Sequence, residues 1–157
     1  VCLKHNNYKV LGVDFDKQSY FSYSVGAETR ESPTIYDVIK NRVNVIDAIQ
    51  HTSVIDILPT DGLLGNIEKE YYGPGSESLL KEALKPLDSM YDYIIIDSPP
   101  ELGLISANVL VASNLVLICV ESPIKYLEKC VSVTVIVLFS LSTVVGIASS
   151  SWVVSLK

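Results

Sequence analysis

Short runs of Val, Ile and Leu alternate along the chain with more polar segments in which apolar residues are interspersed. The short runs predict strands at 9–14, 54–58, 92–97 and 115–120. The coarse pattern of the remaining segments predicts helices at about 35–40, 45–50, 77–87 and 104–112, and residues 1–9 have the pattern of the tail of a further helix. Strands that alternate with helices indicate an α/β fold, a parallel sheet flanked by helices.

The helix predicted at 77–87 has the clearest apolar pattern of the set. Ser76 before it is predicted to be the N-cap, and Pro86 to bend or end the helix. The charged stretch at 68–72, just before this helix, is predicted to be a solvated segment.

Two of the predicted strands end in carboxylates. Asp14 and Asp16 close the first strand, and Asp97 closes the strand at 92–97. Ligands of open α/β sheets bind at the carboxyl ends of the strands, and carboxylates there suit a hydrated Mg²⁺ and an attacking water. Each aspartate taken singly also fits a turn or a helix cap.

Together the two acidic segments resemble the ParA/MinD superfamily of ATPases that partition plasmids and chromosomes. The chain has Asp-Phe-Asp-Lys-Gln at 14–18, and Tyr-Asp-Tyr-Ile-Ile-Ile-Asp-Ser-Pro-Pro followed by Glu-Leu-Gly at 91–103. The resemblance covers about residues 1–129 and is to the ParA/Soj-like branch, because Gln18 follows the first acidic pair. Lys17 stands where that branch has proline, and Glu101 stands where it has serine.

The resemblance implies a P-loop NTPase-like fold of the deviant Walker A class, with ATP and Mg²⁺ as cofactors. It makes Asp16 the catalytic residue that orients the hydrolytic water. Asp97 would act on Mg²⁺ through its water shell, and Asp14 would support the same metal site. The cofactor-binding set also includes the residues that open the second switch loop: Ser98, Pro99 and Pro100.

The family also implies partners. ATP would close a homodimer over two switch regions, a ParB-like partner protein would stimulate hydrolysis, and nonspecific DNA would be bound. The net charge of -6 argues against broad, unaided electrostatic binding of DNA by this chain. Three unpatterned cysteines fit a reducing compartment, so a cytoplasmic location is expected.

A phosphate-binding loop of glycines with lysine and Ser or Thr is missing from the printed sequence. The glycine-rich stretch at 73–76 has no following Gly-Lys-Thr and predicts a turn before a helix. We therefore expect a nucleotide-binding domain that is incomplete at both ends, a fragment that binds ATP poorly and leaves enzyme activity uncertain. The alternative is a non-catalytic α/β remnant, a binding module or a pseudogene product. A flavodoxin-like or receiver-like domain is a third option, which gives the Ile-Ile-Ile-Asp-Ser-Pro-Pro segment no role.

The end of the chain differs in composition. Residues 1–129 form the predicted partial ParA-like domain, whereas the apolar tail at 130–157 has no charged residue between 131 and 156. A shift of reading frame near residue 130, a membrane segment and a buried strand are the three interpretations, and a membrane partner is not favoured. Without the strand that precedes the phosphate loop, a central position of the sheet is expected to be empty. The related cobyrinate synthases are disfavoured because no amidating motif is visible.

Overall fold

One mixed sheet forms the centre of the structure. The structure is a computed structural model that describes residue 3, residues 6–119 and residues 134–140, the last segment as backbone only. The strands within these residues are β1 Val10–Asp14, β2 Gln50–His51, β3 Asp56–Leu58, β4 Tyr93–Ser98, β5 Leu115–Cys119 and β6 Thr134–Ser140. Their order across the sheet is β2-β3-β1-β4-β6-β5.

The centre of the sheet is parallel, as the apolar runs predict. β1 pairs in parallel with β3 on one side and with β4 on the other. Leu11, Val13, Ile94 and Ile96 are buried and face the same core. A strand buried on both faces needs a continuous apolar run, which is why β1 lacks the alternation of a half-exposed strand.

Six short helices lie in the described part of the chain. They are α1 Tyr20–Ser24, α2 Ile35–Ile39, α3 Val45–Ala48, α4 Ile67–Glu70, α5 Leu79–Leu84 and α6 Leu104–Ala112. The predictions near 35–40, 45–50 and 104–112 are confirmed, and the prediction at 77–87 is confirmed in part. α1 and α4 were not predicted. The equally short α2 and α3 were predicted because their segments resemble helices of the ParA/MinD superfamily.

The prediction that the stretch at 68–72 is solvated is confirmed for four of its five residues, which are exposed, while Tyr71 is half-buried. Glu70 in α4 accepts hydrogen bonds from the Tyr36 hydroxyl at 3.0 Å and from Lys40 Nζ at 3.0 Å. The Tyr71 hydroxyl donates to the carbonyl of Ile39 at 3.2 Å. These contacts attach α4 to α2, which local sequence does not reveal.

The helix predicted at 77–87 is broken into three pieces. 3₁₀ turns at Ser76–Ser78 and Lys85–Leu87 flank α5. Ser76 is not an N-cap, contrary to prediction: its hydroxyl donates to the carbonyl of Gly73 at 2.8 Å, and Gly75 precedes the turn with a φ of +94°. The prediction for Pro86 is confirmed, since the α-helix ends at Leu84 and the proline lies in the following 3₁₀ turn.

A buried asparagine holds α6 against α5. The Asn108 amide nitrogen donates to the carbonyls of Ser76 at 2.8 Å and Leu104 at 2.9 Å, and its oxygen accepts from the Leu80 N–H at 3.0 Å. A buried amide is tolerated when its donors and acceptor are paired in this way. The network sets the position of the helix that follows the Asp97 loop.

β6 corrects two predictions. It lies between β4 and β5 and runs antiparallel to both, so the sheet is mixed rather than parallel and this central position is filled. Residues 120–133 and 141–157 lie outside the described residues, and the frame-shift interpretation stays a prediction. Of the helix tail predicted at 1–9, residues 1, 2, 4 and 5 also lie outside them, and residues 6–9 form a turn and an irregular segment instead of a helix. Among the described residues, no helix has the length and apolar character needed to cross a bilayer.

Candidate functional site

The candidate site lies where β1 and β4 end side by side. Asp14 and Asp97 are register partners, and the Phe15 N–H donates to the Asp97 carbonyl at 2.9 Å. Partners in adjacent parallel strands direct their side chains to the same face of the sheet. The structure therefore brings together the two carboxylates that the sequence analysis singles out.

Asp14 is fully buried, at 0% exposure, and both of its carboxylate oxygens are occupied. Oδ2 accepts from the Ser22 N–H and hydroxyl, each at 2.7 Å, and Oδ1 accepts from the Asp16 N–H at 3.2 Å. The Ser22 hydroxyl also accepts from the Thr60 N–H at 3.2 Å. Burial raises the pKa of Asp14, and the Ser22 hydrogen bonds oppose that rise. This side chain joins three elements; its part in a metal site stays a prediction.

Ser22 and Thr60 are site residues that the sequence analysis missed. Ser22 lies in the unpredicted α1, and Thr60 follows β3. Neither carries a local signal, because Ser22 matters through Asp14, eight residues away, and Thr60 through Ser22, 38 residues away. Together they anchor α1 and the end of β3 to the end of β1.

Asp16 begins the loop after β1 and shapes that loop. Its Oδ1 accepts from the Gln18 N–H at 3.0 Å and its carbonyl accepts from the Ser19 N–H at 2.9 Å. Ser19 has a φ of +59°, a left-handed conformation that closes the turn. Asp16 is only partly buried, so its second oxygen can take another donor, while its assignment as the water-orienting residue stays a prediction.

Asp97 is the open carboxylate of the site. Within the part of the chain that the structure describes, it forms no side-chain hydrogen bond or ion pair, although it is partly buried. Burial, followed by the negative charges of Asp14 and Asp16, raises the pKa of Asp97 to about 6. A nearby cation would offset the like charges around this carboxylate, and the metal role of Asp97 stays a prediction.

The loop after β4 is buried at its start and exposed at its tip. Ser98 and Pro99 are buried, whereas Pro100 is exposed and Leu102 is 99% exposed. The Ser106 hydroxyl in α6 donates to the Glu101 carbonyl and ties the loop to that helix. No ligand contact of Ser98, Pro99 or Pro100 is defined by this geometry, and their cofactor role stays a prediction.

Comparison with known proteins decides the family. The profile of an AAA domain family matches residues 1–133. The sporulation initiation inhibitor protein Soj of Bacillus subtilis is 37% identical over 131 residues, which cover 81% of this chain. The chromosome partitioning protein ParA of Caulobacter vibrioides is 30% identical over 126 residues, or 76% of this chain.

The chain belongs to the ParA/MinD family of ATPases.

Solved structures extend the likeness to three dimensions. McdA of Cyanothece in complex with ATP has a TM-score of 0.65 and 33% identity, covering 71% of this chain and 44% of that one. Cobyrinic acid a,c-diamide synthase of Mycobacterium smegmatis, bound to an ATP analogue and magnesium, has a TM-score of 0.66 and 33% identity, covering 70% of this chain and 45% of that one. Proteins whose names describe different functions thus share this P-loop NTPase fold.

This ParA/MinD-family chain spans about half the length of the curated relatives named above: 52% of Soj and 47% of the Caulobacter ParA. A ParA family protein of Chlamydia pneumoniae is 30% identical over 166 aligned positions that cover 95% of this chain. Residues 1–129 make up less than 95% of the chain, so this alignment extends beyond residue 129. The expectation that resemblance ends near residue 129 is therefore wrong for this relative.

The site fits the metal of the ParA/MinD relatives better than it fits their nucleotide. Asp97 offers unpartnered oxygen ligands of the kind that Mg²⁺ prefers, and Mg²⁺ characteristically keeps several waters and takes one or two protein carboxylates. Within the described ranges, no group of three or more His, Cys, Asp or Glu side chains is placed to hold a metal ion. The printed sequence has no lysine-bearing glycine loop to hold a triphosphate, so the chain by itself does not fit ATP.

The two residues that depart from the ParA motifs, Lys17 and Glu101, are in contact. Lys17 Nζ lies 3.0 Å from Glu101 Oε2, with side chains 36% and 67% exposed. The hydrogen bond to Glu101 is the main cause that raises the pKa of Lys17, and the charge of Glu101 is the second. The substituted positions in the two predicted switch loops are thus partners in one ion pair.

Proposed function

We propose that this chain provides the two switch loops and the magnesium carboxylate of a ParA-type ATPase that acts in chromosome or plasmid partitioning. The observation that carries the proposal is Asp97, an open carboxylate with a raised pKa at the carboxyl edge of the sheet, next to the loop that bears Asp16. The similarity to Soj and to ParA supports the same assignment.

The proposed roles follow from where each carboxylate lies. Asp97 would hold Mg²⁺ through the water shell of the ion, and the bound ion would neutralise charge on a phosphoryl group. Asp16, partly exposed on the neighbouring loop, would orient the attacking water. Asp14 would keep the Asp16 loop and α1 in place through its bonds to the Asp16 N–H and to Ser22, since its own oxygens are occupied.

The wider mechanism is proposed from the family. A nucleotide-dependent homodimer, stimulation by a ParB-like protein, nonspecific DNA binding and a cytoplasmic location would accompany the ATPase cycle. The net charge of -6 means that DNA binding would need a local basic surface or parts of a longer protein.

A chimera tests the assignment of Asp16. Residues 10–119 of this chain would replace the matching segment of the Bacillus subtilis Soj protein, which is 37% identical to this chain. The chimera should hydrolyse ATP, and Asp16→Ala should lower its turnover by about 100-fold or more while nucleotide remains bound, because a positioned proton acceptor acts on the chemical step. Turnover is measured by phosphate release, and binding by a fluorescent ATP analogue.

Glu82→Ala is the matched control, since Glu82 is an exposed acid on α5 away from the strand ends. It should leave turnover unchanged. Equal turnover in the Asp16→Ala and Glu82→Ala chimeras would remove Asp16 from the proposed role.

A non-catalytic α/β module is the second candidate function. It is favoured by the missing glycine-lysine loop and by β6, which occupies the sheet position next to β4. A chimera that folds and binds ATP but shows no turnover with either residue at position 16 would favour this candidate.

A further inference from the structure

Two loops meet at the carboxyl edge of the sheet, and one contact joins their side chains. The first loop, residues 15–19, follows β1, and the second loop, residues 99–103, follows β4. In the described part of the chain, the one side-chain hydrogen bond between these loops is the Lys17–Glu101 ion pair, which spans 84 residues of sequence.

Both the aliphatic part of the Lys17 side chain and its charge favour this contact. Its Cδ lies 3.7 Å from the position that a Cβ would take on Gly65, so the aliphatic part of the side chain passes over the 3₁₀ turn Gly62–Asn66. Glu101, Glu68 and Asp16 all favour the charged form of Lys17. The lysine is therefore surrounded by acids but forms its short ion pair with Glu101 alone among the described residues.

Each loop is also tied internally. Asp16 accepts from the N–H groups of Gln18 and Ser19 in the first loop, and Ser106 donates to the Glu101 carbonyl at the second. The loops therefore keep their own shapes, and their relative position depends on the register of β1 with β4 and on the ion pair.

We propose that Lys17 and Glu101 are positioning residues that hold the Asp16 loop against the loop following Asp97. The pair would limit how far Asp16 moves from Asp97 while both loops remain exposed to solvent. This coupling is a property of the chain without nucleotide, so it stands or fails separately from the proposed ATPase function.

Amide hydrogen exchange of the full 157-residue chain tests the coupling. Lys17→Met keeps an unbranched aliphatic side chain and removes the positive charge. Glu101→Gln keeps the shape of the side chain and removes the negative charge. At low salt the hydrogen-bonded amides of Gln18 and Ser19 should exchange about two- to fivefold faster in each variant than in wild type. A factor of this size corresponds to the free energy of an exposed ion pair. Wild type in 1 M NaCl should approach the same rates, because salt screens the pair.

The neutral double variant, Lys17→Met with Glu101→Gln, separates a paired contact from two unrelated effects. It should exchange Gln18 and Ser19 no faster than either single variant, because each single change already removes the whole ion pair. Additive acceleration in the double variant, or unchanged exchange in both single variants, would overturn the inference.

Lys40→Met is the matched control, because Lys40 and Glu70 form an ion pair of the same 3.0 Å length between α2 and α4. It should leave the exchange of Gln18 and Ser19 at the wild-type rate. Acceleration equal to that of Lys17→Met would show a nonspecific effect of removing a lysine and would count against the proposal.

Discussion

At the scale of residues, two aspartates in neighbouring strands have opposite surroundings. Asp14 is saturated by Ser22 and by the Asp16 N–H, whereas Asp97 has no side-chain partner within the described residues. Both carboxyl groups have a raised pKa because both are withdrawn from water. The absence of compensating hydrogen bonds leaves Asp97 as the group that a cation would stabilise.

The pKa of Asp97 sets a pH-dependent prediction for Asp97→Asn. The pKa is about 6 in the folded chain against an ordinary value of 3.8, so the folded state binds this proton more tightly. The resulting stabilisation is complete below about pH 4 and is lost as the pH rises through 6. At pH 7.5 the variant should have a free energy of unfolding about 1–2 kcal/mol above wild type, less than the full shift implies because the side chain keeps contact with solvent.

The measurement is urea unfolding of both proteins at several pH values between 4 and 7.5. The advantage of Asp97→Asn should shrink towards pH 4, where the wild-type carboxyl is neutral. Asp88→Asn, at an exposed position, serves as the control. A difference between Asp97→Asn and wild type that stays constant with pH would contradict the assigned pKa.

At the scale of elements, α1 is the helix on which the site depends most. Its Phe21 ring lies over Gly12 of β1, and its Ser22 holds Asp14. A Cβ on Gly12 would lie 2.6 Å from Phe21 Cζ and 2.9 Å from Ile57 Cδ1. Glycine in this strand therefore allows the close approach of a helix rather than an unusual backbone conformation.

Gly12→Ala should displace α1 and weaken the Asp14–Ser22 contact. We expect the free energy of unfolding to fall by about 1–3 kcal/mol, the usual cost of overpacking. Gly62→Ala is the matched control, because a Cβ at Gly62 has no neighbour within 4 Å, and its effect should stay within about 0.5 kcal/mol. Urea unfolding measures both, and equal stabilities of the two variants would contradict the packing of α1 on β1.

At the scale of the whole molecule, the sheet is continuous because β6 joins two strands that do not pair with each other. β4 and β5 each pair with β6, and Val137 is the register partner of both Ile96 and Val116. An unpaired edge in the middle of the sheet would expose two rows of backbone groups and favour aggregation. The apolar tail therefore has a structural part in at least one of its segments.

Proline in β6 tests this arrangement. Val137→Pro removes a backbone N–H from a strand with neighbours on both sides, and should lower the free energy of unfolding by about 3 kcal/mol or prevent folding. Val137→Ala keeps the N–H and should cost less. Thermal unfolding and size-exclusion chromatography compare the two, and equal behaviour would exclude β6 from the sheet.

Much of the fold could be predicted from local pattern. Apolar runs located β1, β4 and β5, and the predicted bounds of α6 agree with the observed ones. α1 and α4 contain only about one helical turn each and were not predicted, whereas the equally short α2 and α3 were predicted through their resemblance to helices of the family. The antiparallel β6 could not be placed from its composition, since an apolar run of Val and Ser fits a buried strand and a membrane segment alike.

The sequence by itself determined the family and the acidic strand ends, because motif spacing and apolar runs are local properties of the chain. Only the tertiary structure decided that Asp14 is saturated while Asp97 is open, that Lys17 pairs with Glu101, and that β6 fills the sheet. Each of these depends on which distant segments become neighbours. Contacts between residues more than eighty positions apart, such as Lys17 and Glu101, leave no periodic signal in the amino-acid pattern.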